Sequence, residues 1–166
     1  MFKHLLLPLD GSRLAEMALP LAQSLAAQFG SKLTLLQVVS LPYAVGLGHD
    51  ASGEFSNLNS LNQDMKIEAT RYLNAQKEAV AQAGIAVEVK IVMGKSPAEA
   101  ILAANDELGI DTVVMSTHGR SGVMRWVFGS VADKVLRHAR VPVLLVRVPA
   151  EDKLPPKNPA VEAELV

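Results

Sequence analysis

Five short aliphatic runs recur along this chain, separated by four stretches of helical periodicity, and that alternation constrains its fold more than any other feature. The runs are Phe2 to Leu9, Leu33 to Val39, Ala86 to Val92, Asp111 to Ser116 and Val141 to Val148. Strands that alternate with helices build a parallel sheet covered on both faces. Right-handed crossovers leave few ways to connect them. The expected fold is a single doubly wound five-stranded parallel α/β sheet of order 3-2-1-4-5 over residues 1–148, with helices on both faces. In that order strands 1 and 4 lie side by side at the switch point, where ligands bind beyond the carboxyl ends. Those ends are Pro8-Leu9-Asp10 and Ser116-Thr117-His118-Gly119.

The helical segments are bounded by local chemistry. Asp10-Gly11-Ser12 ends the first strand, and a helix is expected from about Arg13 to Phe29. Its apolar stripe would be Leu14, Met17, Ala18, Leu21 and Leu25, with a kink at Pro20 and a stop at Gly30. Residues 41–60, rich in Gly, Ser, Asn and Leu, read as a loop whose length suggests a lid, a short extra helix or disorder, ahead of a helix from Leu61 to Gln82. Ser96-Pro97-Ala98-Glu99 has the form of a capping box with proline at the first helical position. The last helix is expected from Ser130 to Ala139. The tail 149–166 holds four prolines and reads as extended or mobile.

Composition narrows the chemistry. The chain has no cysteine, which excludes a disulfide framework, a thiolate metal site and a cysteine nucleophile. Sixteen basic residues stand against 17 acidic ones, so net charge provides no argument for nucleic acid or anionic membrane as partner. No run approaches the ~20 apolar residues that span a bilayer. A cytoplasmic location is the expectation. Charge is uneven locally: from His118 to Arg147 six basic residues (Arg120, Arg125, Lys134, Arg137, Arg140, Arg147) face one acid, Asp133. Such a stretch is either a field for a phosphate-bearing ligand or a solvated basic face.

The segment that carries chemistry runs from Ser116 to Asp133. A strand ends, a turn containing Gly119 and Gly122 follows, and Gly129-Ser130 opens a helix. The amides of Ser130, Val131 and Ala132 have no intrahelical acceptor, and with the helix dipole they form an anion site. The hydroxyls of Ser121 and Ser130 can add hydrogen bonds. Ser130 with Asp133 also has the form of a simple cap, and the two glycines of a simple turn. The segment is neither a Walker loop nor a dinucleotide fingerprint. His118 either donates to phosphate, takes part in proton transfer or orders the turn. His4, His49 and His138 have no metal-ligand spacing with it, and no protein metal site is assigned. Trp126 and Phe128 could stack on a base, but at their spacing are expected instead to pack the turn onto the domain or a partner.

The chain resembles the universal stress protein family of the ATP-binding type. That family carries Gly, two residues, Gly, nine residues, Gly, then Ser or Thr. Here Gly119, nine residues, Gly129 and Ser130 match, with Ser116 in place of the first glycine. Leu6-Leu7-Pro8-Leu9-Asp10-Gly11-Ser12, Leu36-Gln37-Val38-Val39, Gly94-Lys95-Ser96-Pro97 and Val141-Pro142-Val143-Leu144-Leu145-Val146 extend the likeness over residues 1–148. The resemblance implies that Asp10 and Val38 contact the adenine and ribose end and that Pro8 and Leu9 line it. Met115 and Ser116 would lie under the nucleoside. Gly119, Arg120, Ser121 and Gly122, with His118 nearby, would wrap the phosphates, and Gly129, Ser130, Val131 and Ala132 would complete the cradle.

The ligand so implied is ATP, with Mg²⁺ as a companion of its phosphates. The resemblance also implies a homodimer paired through the last strand, Val141 to Val148, which would cover an apolar sheet edge. Three functions stay open at this point. They are a nucleotide-dependent regulatory module acting on a protein partner, a slow ATPase or related nucleotide-hydrolysing enzyme, and a nucleotide-free interaction protein, which Ser116 favours. No catalytic set is evident in the residues.

Overall fold

The structure, a computed structural model, describes residues 1–40, 51–94, 96–117 and 129–147, with the backbone course alone for 51–59. In chain order the elements are β1 (His4–Pro8), α1 (Arg13–Glu16), α2 (Leu19–Phe29), β2 (Lys32–Val39), α3 (Ala51–Ala81), β3 (Val87–Met93), α4 (Pro97–Glu107), β4 (Thr112–Ser116), α5 (Ser130–His138) and β5 (Val143–Val146). The five strands form one sheet of order β3-β2-β1-β4-β5, and every pairing is parallel. This is the order expected from the alternation of strands and helices.

Burial on both faces explains the continuous aliphatic runs. Along β1 and its extension, Leu5, Leu7 and Leu9 enter one core with Leu33, Leu35 and Val114, under the alanines of α1 and α2 and Tyr72, Leu73 and Val80 of α3. The alternate residues Leu6, Leu36, Val113 and Met115 enter the second core, under Ala98, Ile101 and Ala104 of α4 and Ala132 and Val135 of α5. Period-two alternation on each strand thus assigns its side chains to opposite cores.

Several local expectations are corrected. The first helix is broken, not kinked. It stops at Glu16, and Pro20 falls in the first turn of α2, where its missing N–H has no intrahelical partner to lose. Of the expected stripe Leu14 and Ala18 are buried and Leu25 packs partly against the core, while Leu21 is 39% exposed; Ala15, Ala22 and Ala26 also pack on the sheet. Small side chains let the helix lie close to the strands. Gly30 does end α2, in the left-handed conformation at φ 63°, which glycine adopts without a Cβ penalty.

Residues 51–60 belong to α3 and not to a loop. Their glycine, serines and asparagines each cost only tenths of a kcal/mol to about 1 kcal/mol in a helix, less than the penalty of nucleating a separate one. Residues 41–50 and the tail from 148 onward lie outside the described residues, as do Trp126 and Phe128. Ser96 stands at the N-cap of α4 without a capping bond from its side chain. The Glu99 carboxylate instead accepts from Lys134 Nζ of α5 at 2.7 Å. A charged donor on the neighbouring helix outcompetes a backbone amide. Ser130 and Asp133 likewise form no cap: Gly129 is the N-cap, and Asp133 accepts from Arg137 Nε at 2.9 Å. The observed β5 is shorter than expected, Val143–Val146.

At the amino end of the sheet, polar side chains join one network. His4 Nε2 lies 2.8 Å from Thr34 Oγ1, and that hydroxyl donates to Glu88 Oε1 at 2.9 Å. The single hydroxyl hydrogen is thereby used, so the imidazole is the donor to Thr34. Lys32 closes on Glu88 at 2.7 Å, and Asp111 accepts from the Lys3 amide at 2.8 Å. Burial of the imidazole, and then the charge of Lys32, hold the His4 pKa below its ordinary 6.5. The hydrogen bond from Lys32 pulls the Glu88 carboxyl down.

Candidate functional site

The carboxyl end of the sheet opens for reasons visible in the strands. Leu9 N–H donates to the Leu36 carbonyl of β2 at 2.8 Å, while Asp111 N–H on the β4 side donates to the His4 carbonyl at 3.1 Å. Odd positions of β1 therefore face β2 and even positions face β4. At the even position 8 a proline supplies no N–H toward β4. The β1–β4 register pairs Leu5 with Thr112 and Leu6 with Val113 and goes no further. A crevice follows at the topological switch point.

A cavity of about 590 Å³ occupies it. That volume falls within the roughly 300–1,000 Å³ of small-molecule sites. Pro8, Leu9, Asp10, Val38, Met115, Ser116, Gly129, Ser130, Val131 and Ala132 all line it. The remaining candidates, His118, Gly119, Arg120, Ser121 and Gly122, lie outside the described residues.

Two local arrangements shape the walls. Asp10 Oδ1 accepts from the Ser12 amide at 2.9 Å and from its hydroxyl at 2.6 Å, while Ser12 Oγ accepts from the Ala15 amide at 3.2 Å. Ser12 is thus the cap of α1, and Asp10 orders the turn that carries its carboxylate to the cavity. Across the crevice, Thr117 N–H donates to the Val146 carbonyl at 2.9 Å. Its own carbonyl accepts from Gly129 N–H at 2.8 Å. The start of α5 is thereby fastened to the end of β4. The first bonded amide of α5 is that of Asp133, to the Gly129 carbonyl at 2.9 Å. Those of Ser130, Val131 and Ala132 take no partner among the described residues. Three successive N–H groups at a helix start form an anion site.

Of the two readings left open for the local basic charge, Lys134 and Arg137 fit the solvated face: they are exposed and pair with Glu99 and Asp133. Arg120 and Arg125 lie outside the described residues. Among the described residues, no group of three or more His, Asp or Glu side chains could hold a metal ion, and no helix is long and apolar enough to cross a membrane.

Sequence reasoning missed the α3 wall altogether. Met65, Glu68, Ala69 and Tyr72 line the cavity, as do Gln37, Ser40 and Thr117. Tyr72 Oη donates to Glu16 Oε1 at 2.9 Å, and Gln76 Nε2 donates to the same oxygen at 3.2 Å, tying α3 to α1. No motif marks these residues. Gln37 alone carried a signal, as a polar residue inside the aliphatic run Leu35-Leu36-Gln37-Val38-Val39.

Fold and cavity together define a doubly wound α/β protein with a ligand-sized site at its switch point. The profile of the universal stress protein family matches residues 1–147, and the chain belongs to that family. It is 28% identical to the universal stress protein MJ0531 of Methanocaldococcus jannaschii over 152 residues, covering 92% of this chain and 86% of that one. The solved structure of the hypothetical protein MJ0577 superposes with a TM-score of 0.75 at 26% identity, over 91% of this chain and 99% of that one. The same fold recurs in a universal stress protein solved in complex with cAMP (TM-score 0.59, 21% identity, 89% and 98% covered). It recurs again in one from Archaeoglobus fulgidus solved in complex with dAMP (TM-score 0.57, 24% identity, 87% and 97% covered).

Proposed function

We propose that this chain binds an adenine nucleotide, ATP by the reading of its glycine pattern, and acts as a nucleotide-dependent regulatory module. The observation that carries this reading is the row of amides at Ser130, Val131 and Ala132 without partners among the described residues, on a cavity that Asp10 also lines. Main-chain N–H groups and a helix dipole suit phosphate oxygens. A carboxylate repels phosphate and accepts from an exocyclic amine or a ribose hydroxyl. The ligand would therefore lie with its base toward β1 and β2 and its phosphates toward α5. Relatives solved with cAMP and dAMP support the same ligand class. His118, Gly119, Arg120, Ser121 and Gly122 would close over the phosphates, with Mg²⁺ accompanying a triphosphate.

A slow hydrolase is the second reading: it needs metal ligands or a base for the attacking water, and the carboxylates of Asp10 and Glu68 are the described cavity groups that could serve. Pairing of β5 with a second copy would cover its half-buried edge Val143–Val146. The cytoplasm is the compartment in which such a module would meet ATP. The test is direct. Freshly purified protein should release an adenine nucleotide to mass spectrometry, and the stripped protein should take up ATP in calorimetric titration. Stripped, folded protein that ignores millimolar ATP would leave a nucleotide-free interaction protein, the role that Ser116 favours.

A further inference from the structure

We propose that Gln37 reads the base, its side-chain amide accepting from the exocyclic amine of the nucleobase. Gln37 lines the cavity and is only 7% exposed, yet its Oε1 has no hydrogen-bond partner among the described residues, and a half-turn of the carboxamide about its terminal bond would bring that oxygen to a ligand. Burying an unmatched acceptor is costly, and native structures hold few such groups. Of the three buried side-chain atoms in this condition among the described residues, Gln37 Oε1 and Ser40 Oγ belong to residues on the cavity, whereas Asn105 Oδ1 belongs to α4 outside its lining. The unmatched polarity is thus concentrated where a ligand would sit.

The placement selects the part of the ligand. Gln37 follows Leu33 and Leu35 in strand parity, so its side chain leaves β2 on the α3 side, and it shares the cavity wall with Ala69 and Tyr72. The amides of α5 stand beyond β4. With β1 between them, β2 and β4 are roughly 10 Å apart. A ligand whose anionic end rests on α5 therefore presents its opposite end to Gln37. An acceptor there calls for a donor, which a purine 6-amino group supplies. The carboxamide N–H₂ can donate to the adjacent ring nitrogen, the bidentate pairing that Gln makes with adenine elsewhere. This inference rests on the nucleotide reading above and adds the residue that discriminates among bases.

The experiment is calorimetric titration of the full chain with ATP and with purine riboside triphosphate, which lacks only the 6-amino group. Wild type and Gln37→Met are compared. The wild type should bind ATP about ten-fold more tightly than the amine-free analogue, as expected for one hydrogen bond to a buried acceptor. The variant should bind both about equally. Ligand-free Gln37→Met should melt no lower than wild type, because an apolar side chain of similar length replaces an unmatched polar one. Gln37→Glu retains an acceptor and should retain the preference for ATP, which keeps the test available if the methionine variant fails to fold. A wild type that binds both triphosphates equally, or a Gln37→Met variant that keeps the ten-fold preference, overturns the assignment while nucleotide binding stands. A wild type that binds neither overturns both.

Discussion

The two ends of the sheet treat their polar groups in opposite ways. At the amino end, His4, Thr34, Glu88, Lys32 and Asp111 satisfy one another or a nearby backbone group. At the carboxyl end, three backbone amides and the Gln37 and Ser40 side-chain oxygens have no partner among the described residues. The same strands build both ends, so the difference is not one of fold. Matched polarity holds a structure together. Unmatched polarity around a cavity is stability given up in favour of a ligand, as binding sites commonly require.

This contrast can be broken in three ways, taken in order of size. Thr34 is fully buried, and Thr34→Val removes the hydroxyl that joins His4 to Glu88 with almost no change of shape. It should cost about 1–3 kcal/mol in urea unfolding, because a buried donor is left unmatched, with no change in ATP affinity. Ser130→Pro tests the other end. Proline is tolerated at the first helical position, so one cradle amide is lost, together with the Ser130 hydroxyl. Triphosphate affinity should fall about ten-fold, roughly 1.4 kcal/mol, with the melting temperature unchanged. If both substitutions acted on stability alone, the division between the ends would be false.

The smallest effect is in pH. The His4 pKa in the folded chain lies below its ordinary 6.5, so below about that pH the unfolded chain binds more protons. Stability should be full above pH 6.5 and fall as pH drops toward the depressed value. The stability that the lowered Glu88 carboxyl confers is present above its ordinary 4.5 and is lost only further down. His4→Gln should flatten the upper part of the Tm–pH profile and leave nucleotide binding at neutral pH untouched.

Much of the carboxyl end was legible beforehand. Ten candidate residues line one cavity: the strand ends and the start of α5 follow from strand order, whereas Val38 and Met115 came from the family resemblance. The opening at Pro8 was not legible, since it depends on which neighbour position 8 faces. The α3 wall was hidden for a different reason. Met65, Glu68 and Tyr72 lie some 50 residues from the glycine pattern and reach the cavity only through helix packing. The broken first helix was misread because the stripe Leu14, Met17, Ala18, Leu21 and Leu25 looked continuous; Leu14 and Ala18 are buried as expected, but Leu21 is exposed and Ala15, Ala22 and Ala26 pack on the sheet.

Sequence alone determined the succession of strands and helices, the stop at Gly30 and the helix start at Gly129-Ser130, because these follow from period, φ preference and the absence of acceptors within a helical turn. Only the tertiary structure decided that Gln37 is buried with its oxygen unmatched and that α3 walls the cavity. Whether a polar atom finds a partner depends on what distant segments bring to it, and no local pattern records that.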